Sequence, residues 1–163
     1  MKNLLIICAL AMLAIVMVFR TVKIHAGGNP VNAAAANAPR APNDTWLTDM
    51  AAARQQAASE NKKLLLDFTG SDWCGYCKLL EAEVLNTDAF KDFAKDYVLV
   101  RIDFPRSTEL PPDLKQQNDA LAQQFSVDGF PTLLVMDSSG REITRQSGYE
   151  PGSGPQAYLS KFR

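Results

Sequence analysis

Two cysteines separated by two residues, Cys74 and Cys77, follow a tryptophan in the stretch Ser71-Asp72-Trp73-Cys74-Gly75-Tyr76-Cys77-Lys78. A pair at this spacing can act as a redox couple, hold one side of a metal ion, or staple the chain locally. Residues three apart share one face of a helix, close enough for a disulfide to form with modest adjustment. A structural zinc ion takes four Cys or His ligands as a rule, and the other candidates, Cys8 and His25, both lie in the N-terminal leader. A staple across three residues closes too short a loop to constrain the unfolded chain much. Redox chemistry is therefore the reading of the pair, with neither metal nor organic cofactor expected. The break from Gly70 to Trp73 puts Cys74 at the start of a helix, where free N–H groups and the helix dipole favour an anion. A Cys-X-X-Cys thiol so placed is acidified, and the thiolate is the nucleophile. Cys77, one turn further in, is expected to be more buried and to stay protonated until needed. The implied cycle is attack by Cys74 on a partner disulfide, a mixed disulfide, and resolution by Cys77.

Two further positions could take part. Asp67 sits inside the apolar run KLLLDF (63–68), either as a polar residue at a strand end or as a buried carboxylate relaying a proton to Cys77. Pro131, in Phe130-Pro131-Thr132, opens a core strand. That place suits either a special turn with a cis bond or an ordinary strand entry.

The elements that position these residues can be read from apolar periodicity. KLLLDF has the look of a strand buried on both faces in a parallel sheet. Thr69 to Asp72 break it, and from about Cys74 onward Leu79, Leu80, Val84 and Leu85 keep helical spacing. Asn86-Thr87-Asp88 looks like a fresh cap, with Phe90 and Phe93 on the next apolar face. YVLVRIDF (97–104) is a second strand. Helix lies between the two strands, so they should run parallel through a right-handed crossover. Residues 114–125 are helical, and TLLVM (132–136) and 142–144 flank a hairpin turn at Asp137-Ser138-Ser139-Gly140. A short helix over 155–162 closes the chain. Ahead of the first strand, Asp44 or Thr45 caps a helix over TWLTDMAAARQQAASE, which Asn61 stops. The order α-β-α-β-α-β-β-α defines an α/β domain, a mixed central β-sheet covered by helices on both faces.

The N-terminus is of another kind. Leu4 to Phe19 is unbroken apolar sequence, followed by Arg20, Lys23 and a small-residue cleavage site at Ala26. Residues 1–26 thus read as a signal peptide or N-terminal membrane anchor. Residues 27–43, rich in Ala, Pro and Asn, read as a flexible linker, and residues 44–163 as the domain. The expected location is the periplasm or cell envelope, exported or N-terminally anchored, where disulfides persist. Of 17 basic side chains, Lys2, Arg20 and Lys23 lie in the leader; the other 14 meet 18 acidic ones, a net charge of −4. That balance argues against nucleic acid as a partner. Membrane contact is expected only through the N-terminal segment, and the domain is expected to be monomeric.

Leu66-Asp67-Phe68, Trp73-Cys74-Gly75-Tyr76-Cys77-Lys78, Val127-Asp128-Gly129-Phe130-Pro131-Thr132 and Ser147-Gly148 together resemble the thioredoxin superfamily, in its order and at nearly its spacing. The resemblance covers residues 44–163, and secreted bacterial thioredoxin-like proteins share the active-site stretch TGSDWCGYCK. It implies a thioredoxin fold and thiol–disulfide oxidoreductase activity on protein disulfides, as reductase or isomerase. It also implies that Cys74 is the nucleophile, Cys77 the resolving thiol and Asp67 the buried proton-transfer carboxylate. Pro131 would be a cis-proline whose neighbouring backbone pairs with an extended substrate by strand addition, which is indifferent to substrate sequence. Trp73, Gly75, Tyr76, Phe130 and Thr132 would complete the substrate-binding rim.

Two departures from the family pattern carry consequences. One residue more separates Asp67 from Cys74 than in thioredoxin itself, which bears on the reach of Asp67. Gly75-Tyr76 stands where thioredoxin has Gly-Pro; losing the proline frees an N–H near the attacking sulfur and favours a more oxidising couple. Gly-Tyr also occurs in the periplasmic disulfide isomerase, a hint of isomerisation.

Topology adds one expectation. The second strand, parallel to the first, delivers residues 104–112 to the edge of the sheet that carries the cysteines, and that segment holds Pro105, Pro111 and Pro112. Ligand-contacting loops gather at that edge, so the segment either walls the site and restricts docking or is a harmless surface insertion. A redox partner protein must keep the couple poised. Two other functions fit the same residues: a redox-inert binding or chaperone module, and an assistant in cytochrome or copper-site maturation.

Overall fold

KLLLDFT forms β1 (Lys63–Thr69), flanked by strands on both sides. The structure is a computed structural model that describes residues 46–163. The leader and linker expected over 1–43 lie outside the described residues. β2 (Tyr97–Asp103) runs parallel to β1, from Lys63 opposite Tyr97 to Thr69 opposite Asp103. β3 (Thr132–Met136) pairs antiparallel on the other side of β1, and β4 (Glu142–Ser147) pairs antiparallel with β3. The order β2-β1-β3-β4 is the mixed sheet expected.

Alternation along the strands divides the core into two layers. Leu64, Leu66 and Phe68 of β1 join Val98, Val100 and Ile102 of β2 and Leu134 and Met136 of β3. Against them pack α1 (Met50–Glu60), through Met50, Ala53 and Ala57, and α4 (Pro112–Gln124), through Leu121. Leu65, Leu99, Leu133 and Val135 face the opposite way. That layer is covered by α2 (Gly75–Leu80) with the π-helical turn Glu81–Leu85, by α3 (Asp88–Phe93), and by α5 (Gly154–Leu159) with its 3₁₀ extension Ser160–Phe162. Both faces are covered, which is why the strands read as continuous apolar runs. Asp67 and Arg101, register partners on β1 and β2, alternate onto the second face, the one that α2 covers.

Two boundaries differ from expectation. The first helix begins at Met50 rather than at Thr45, because Asp49 is the cap, its carboxylate accepting from the N–H groups of Ala51 and Ala52 at 2.7 and 3.0 Å. Leu47 instead makes an isolated parallel bridge to β2, donating to the Leu99 carbonyl at 2.9 Å and accepting from the Arg101 N–H at 2.7 Å. An apolar stripe at Trp46 and Leu47 suits an extended segment as well as a helix, and tertiary pairing decides. Second, Leu79 is exposed while Leu80, Val84 and Leu85 are buried. The π turn, closed by Asn86 N–H to Glu81 C=O at 2.9 Å, winds more widely than an α-helix and shifts which residues face the core.

Candidate active site

The sequence TGSDW at the end of β1 folds as a tight turn, in which the N–H groups of Trp73 and Cys74 both donate to the Gly70 carbonyl, at 3.2 and 2.8 Å. The turn delivers Cys74 as the N-cap of α2, in extended conformation. Its sulfur is bonded to that of Cys77, with the two Cα atoms 5.3 Å apart, and accepts the Cys77 N–H at 3.2 Å. Cys77 was expected to be the more buried of the two, but the pair are equally covered, at 5% and 6% exposure. The exposed surface beside them belongs to Trp73 and Tyr76.

Trp73 is held on several sides. Its indole Nε1–H donates to the Phe104 carbonyl at 2.8 Å, and its ring meets Phe130 edge-on at 5.9 Å. The Arg106 guanidinium lies over the ring at 3.6 Å from the centroid, within cation–π range. Below is Gly70, where a Cβ would come within 2.5 Å of the indole. Gly70→Ala must therefore push Trp73 out of its seat. We expect this substitution to lower stability by about 1–3 kcal/mol, read by urea unfolding of the oxidised protein; an unchanged midpoint would show that the indole seat is not tight.

The segment after β2 is sewn to this turn. Asn118, buried on α4, donates to the Asp103 carbonyl at 2.9 Å, and the Phe104 N–H donates to Thr69 at 2.9 Å. Asp103 accepts from the Ser71 N–H and hydroxyl at 2.9 and 2.5 Å. Asp72 accepts from the N–H of Arg106 at 2.9 Å and of Ser107 at 2.5 Å; the Ser107 bond above all holds the Asp72 carboxyl below its ordinary pKa. The Phe104 and Phe130 rings stack at 5.1 Å. Topology placed this segment at the site's edge. The contacts of Asp72, Asp103, Phe104 and Arg106 were not legible, since no spacing rule links residues on opposite sides of a crossover.

Phe130 and Pro131 are joined by a cis peptide bond. Pro131 is buried, and its carbonyl accepts the Gly148 N–H at 2.8 Å. Thr132, also buried, donates from its hydroxyl to the Gly129 carbonyl at 2.9 Å. Trp73, Phe130 and Phe104 thus form one aromatic wall beside the cysteines, with Pro131 next in the chain.

Asp67 is 3% exposed. Burial pushes its carboxyl up to about 7, against the pull of Arg101 and with smaller pushes from Glu81 and Asp103. The Arg101 Nε lies 3.7 Å from Asp67 Oδ2, a charge contact too long for a hydrogen bond, and Arg101 Nη2 reaches Glu81 at 3.3 Å. Asp67 Oδ1, Arg101 Nε and the Tyr158 hydroxyl are buried with no hydrogen-bond partner. Burial first, and the Asp67 charge second, raise the Tyr158 hydroxyl pKa. No hydrogen bond joins Asp67 to either cysteine. Among the described residues no group of three or more His, Cys, Asp or Glu could hold a metal ion, and no helix is long and apolar enough to cross a membrane.

A Cys-X-X-Cys disulfide capping a helix beside an aromatic wall, on a β2-β1-β3-β4 sheet, defines a thiol–disulfide oxidoreductase of thioredoxin fold. Residues 50–163 match the family described as a thioredoxin-like domain, and the chain belongs to that family. It is 38% identical over 114 residues to the disulfide bond reductase DsbH of Chlamydia pneumoniae, across 69% of this chain and 68% of that one. It is 32% identical over 111 residues to the thioredoxin-related protein DsbJ of the same organism, spanning 66% of this chain but only 32% of DsbJ. A solved structure of a DsbH oxidoreductase superposes with a TM-score of 0.66 at 36% identity, covering 72% of this chain and 80% of that one.

Proposed function

We propose that the protein reduces disulfides of other proteins in the cell envelope. The observation that carries this reading is the placement of the Cys74 sulfur, which caps α2 and accepts the Cys77 N–H at 3.2 Å. In the reduced protein the same N–H stabilises a Cys74 thiolate, lowering its pKa and keeping it nucleophilic. The thiolate attacks one sulfur of a substrate disulfide, forming a mixed disulfide and releasing the other sulfur as a thiolate. The Cys77 thiolate then attacks the Cys74 sulfur, releases the second substrate thiolate and leaves the Cys74–Cys77 disulfide. Two electrons pass to the substrate, and a dithiol partner protein must return them. No metal or organic cofactor enters this cycle. Asp67, facing the layer beneath α2 with a carboxyl near neutrality, suits acceptance of the Cys77 proton directly or through an intermediary. Trp73, Gly75, Tyr76, Phe130, Pro131 and Thr132 surround the place where an extended substrate would lie.

Similarity to the disulfide bond reductase DsbH favours reduction over isomerisation, and the apolar run in residues 1–26 supports export. Titrating the ultraviolet thiolate absorbance of the reduced protein tests the reading. Cys74 should ionise below about 8.5, the value for free cysteine; an ordinary value would leave the couple without its nucleophile. Trapping thiols in growing cells should find the pair mainly reduced, as a reductase requires.

A further inference from the structure

We propose that Arg106 makes the site prefer disulfides flanked by an acidic side chain. The inference rests on the reading above, that polypeptide disulfides dock at the rim. The main-chain bonds of strand addition give affinity, and selectivity comes from the groups that meet the substrate's side chains. Arg106 is such a group. It is exposed, and its guanidinium lies over the ring of Trp73, the residue next to Cys74, at 3.6 Å from the centroid. The Asp72 carboxylate fixes its position by holding the backbone N–H groups of Arg106 and Ser107. Among the described residues its guanidinium makes no ion pair. The two neighbouring carboxylates are occupied: Asp72 by those backbone N–H groups, Asp103 by the N–H and hydroxyl of Ser71.

Lys78 adds a second cation of this kind. Its Nζ donates to the Asp72 carbonyl at 2.8 Å and meets no carboxylate. The full chain nonetheless carries 18 acidic against 17 basic side chains. Two cations without ion pairs thus stand at the rim, beside the Asp72 and Asp103 carboxylates that take backbone and hydroxyl donors instead. A carboxylate on the residue beside a substrate cysteine would find in Arg106 a planar, multiply donating partner. A lysine there would meet like charge.

The test uses two peptide disulfides, identical except for Glu or Lys beside the cysteine, reduced by the wild type, Arg106→Gln, Arg106→Glu and Lys78→Gln. At low salt the wild type should turn over the Glu peptide about three- to tenfold better in kcat/KM, the margin shrinking as salt screens it. Arg106→Gln should bring the ratio near one, and Arg106→Glu should invert it. Trp73 remains seated in both variants by Gly70, Phe104 and Phe130, so the inversion reports charge rather than collapse of the wall. An equal Glu-to-Lys ratio in wild type and Arg106→Glu overturns the proposal, as does a preference lost in Lys78→Gln alone; in either case turnover of both peptides leaves the reductase reading standing. Failure of the wild type on both peptides removes that reading and this inference together.

Discussion

Cys74→Ser should bring insulin-disulfide reduction down to the rate of the added reductant alone, a loss of roughly 10³-fold or more. A serine hydroxyl at neutral pH offers no anion to attack sulfur, and nothing else near the rim replaces it: Cys77 is the only other cysteine among the described residues. Cys77→Ser should fail differently. Attack by Cys74 survives, resolution does not, and the variant should accumulate a mixed disulfide visible as a higher-mass band on non-reducing gels. The contrast separates catalysis from mere binding. A redox-inert module would hold its client equally well in both variants and form no covalent adduct. Equal turnover by wild type and Cys74→Ser would sink the enzymatic reading outright.

Asp67→Asn should stabilise the protein above neutral pH and flatten its pH dependence. The carboxyl has an ordinary value of 3.8 and is raised to about 7 in the fold, chiefly by burial. A group whose folded pKa is raised binds more protons in the folded than in the unfolded state between those two values, so stability falls as pH rises through that window. Its contribution is complete below about pH 4 and gone above about pH 7. The difference is on the order of 4 kcal/mol, large against the stability of a small domain. Urea unfolding of the oxidised protein at pH 5 and pH 8 should show the wild type losing stability at the higher pH. In Asp67→Asn that loss should be absent, since an amide cannot ionise and Arg101 keeps Glu81 as its partner. A slope identical in both proteins would place the titrating group elsewhere.

The chemistry at Asp67 and at the rim differ in how far they could be read from one dimension. The run around Asp67 left two readings, a polar strand end or a buried carboxylate, and the covered sheet decided for burial. Its partner Arg101 follows only from the parallel register of β1 with β2. Trp73 shows the opposite balance. Its position before Cys74 is plain from the motif, but apart from Gly70 the residues that seat it lie outside the stretch TGSDWCGYCK: Phe104, Arg106 and Phe130.

What the residues determined by themselves was whatever depends on short spacing. Strand periodicity, the helix-capping turn before Cys74, the two-residue gap to Cys77 and the order of elements are all local, because backbone geometry repeats every two or 3.6 residues. Tertiary structure decided the rest. It drew Trp46 and Leu47 out of the first helix and onto β2, where a backbone ladder offered more than another helical turn. It buried Cys74 and Cys77 almost equally as whole residues. It also set Arg106 on Trp73, a meeting 33 positions apart in sequence. Only the crossover between β1 and β2, which returns the chain to the same sheet edge, brings those two side chains together.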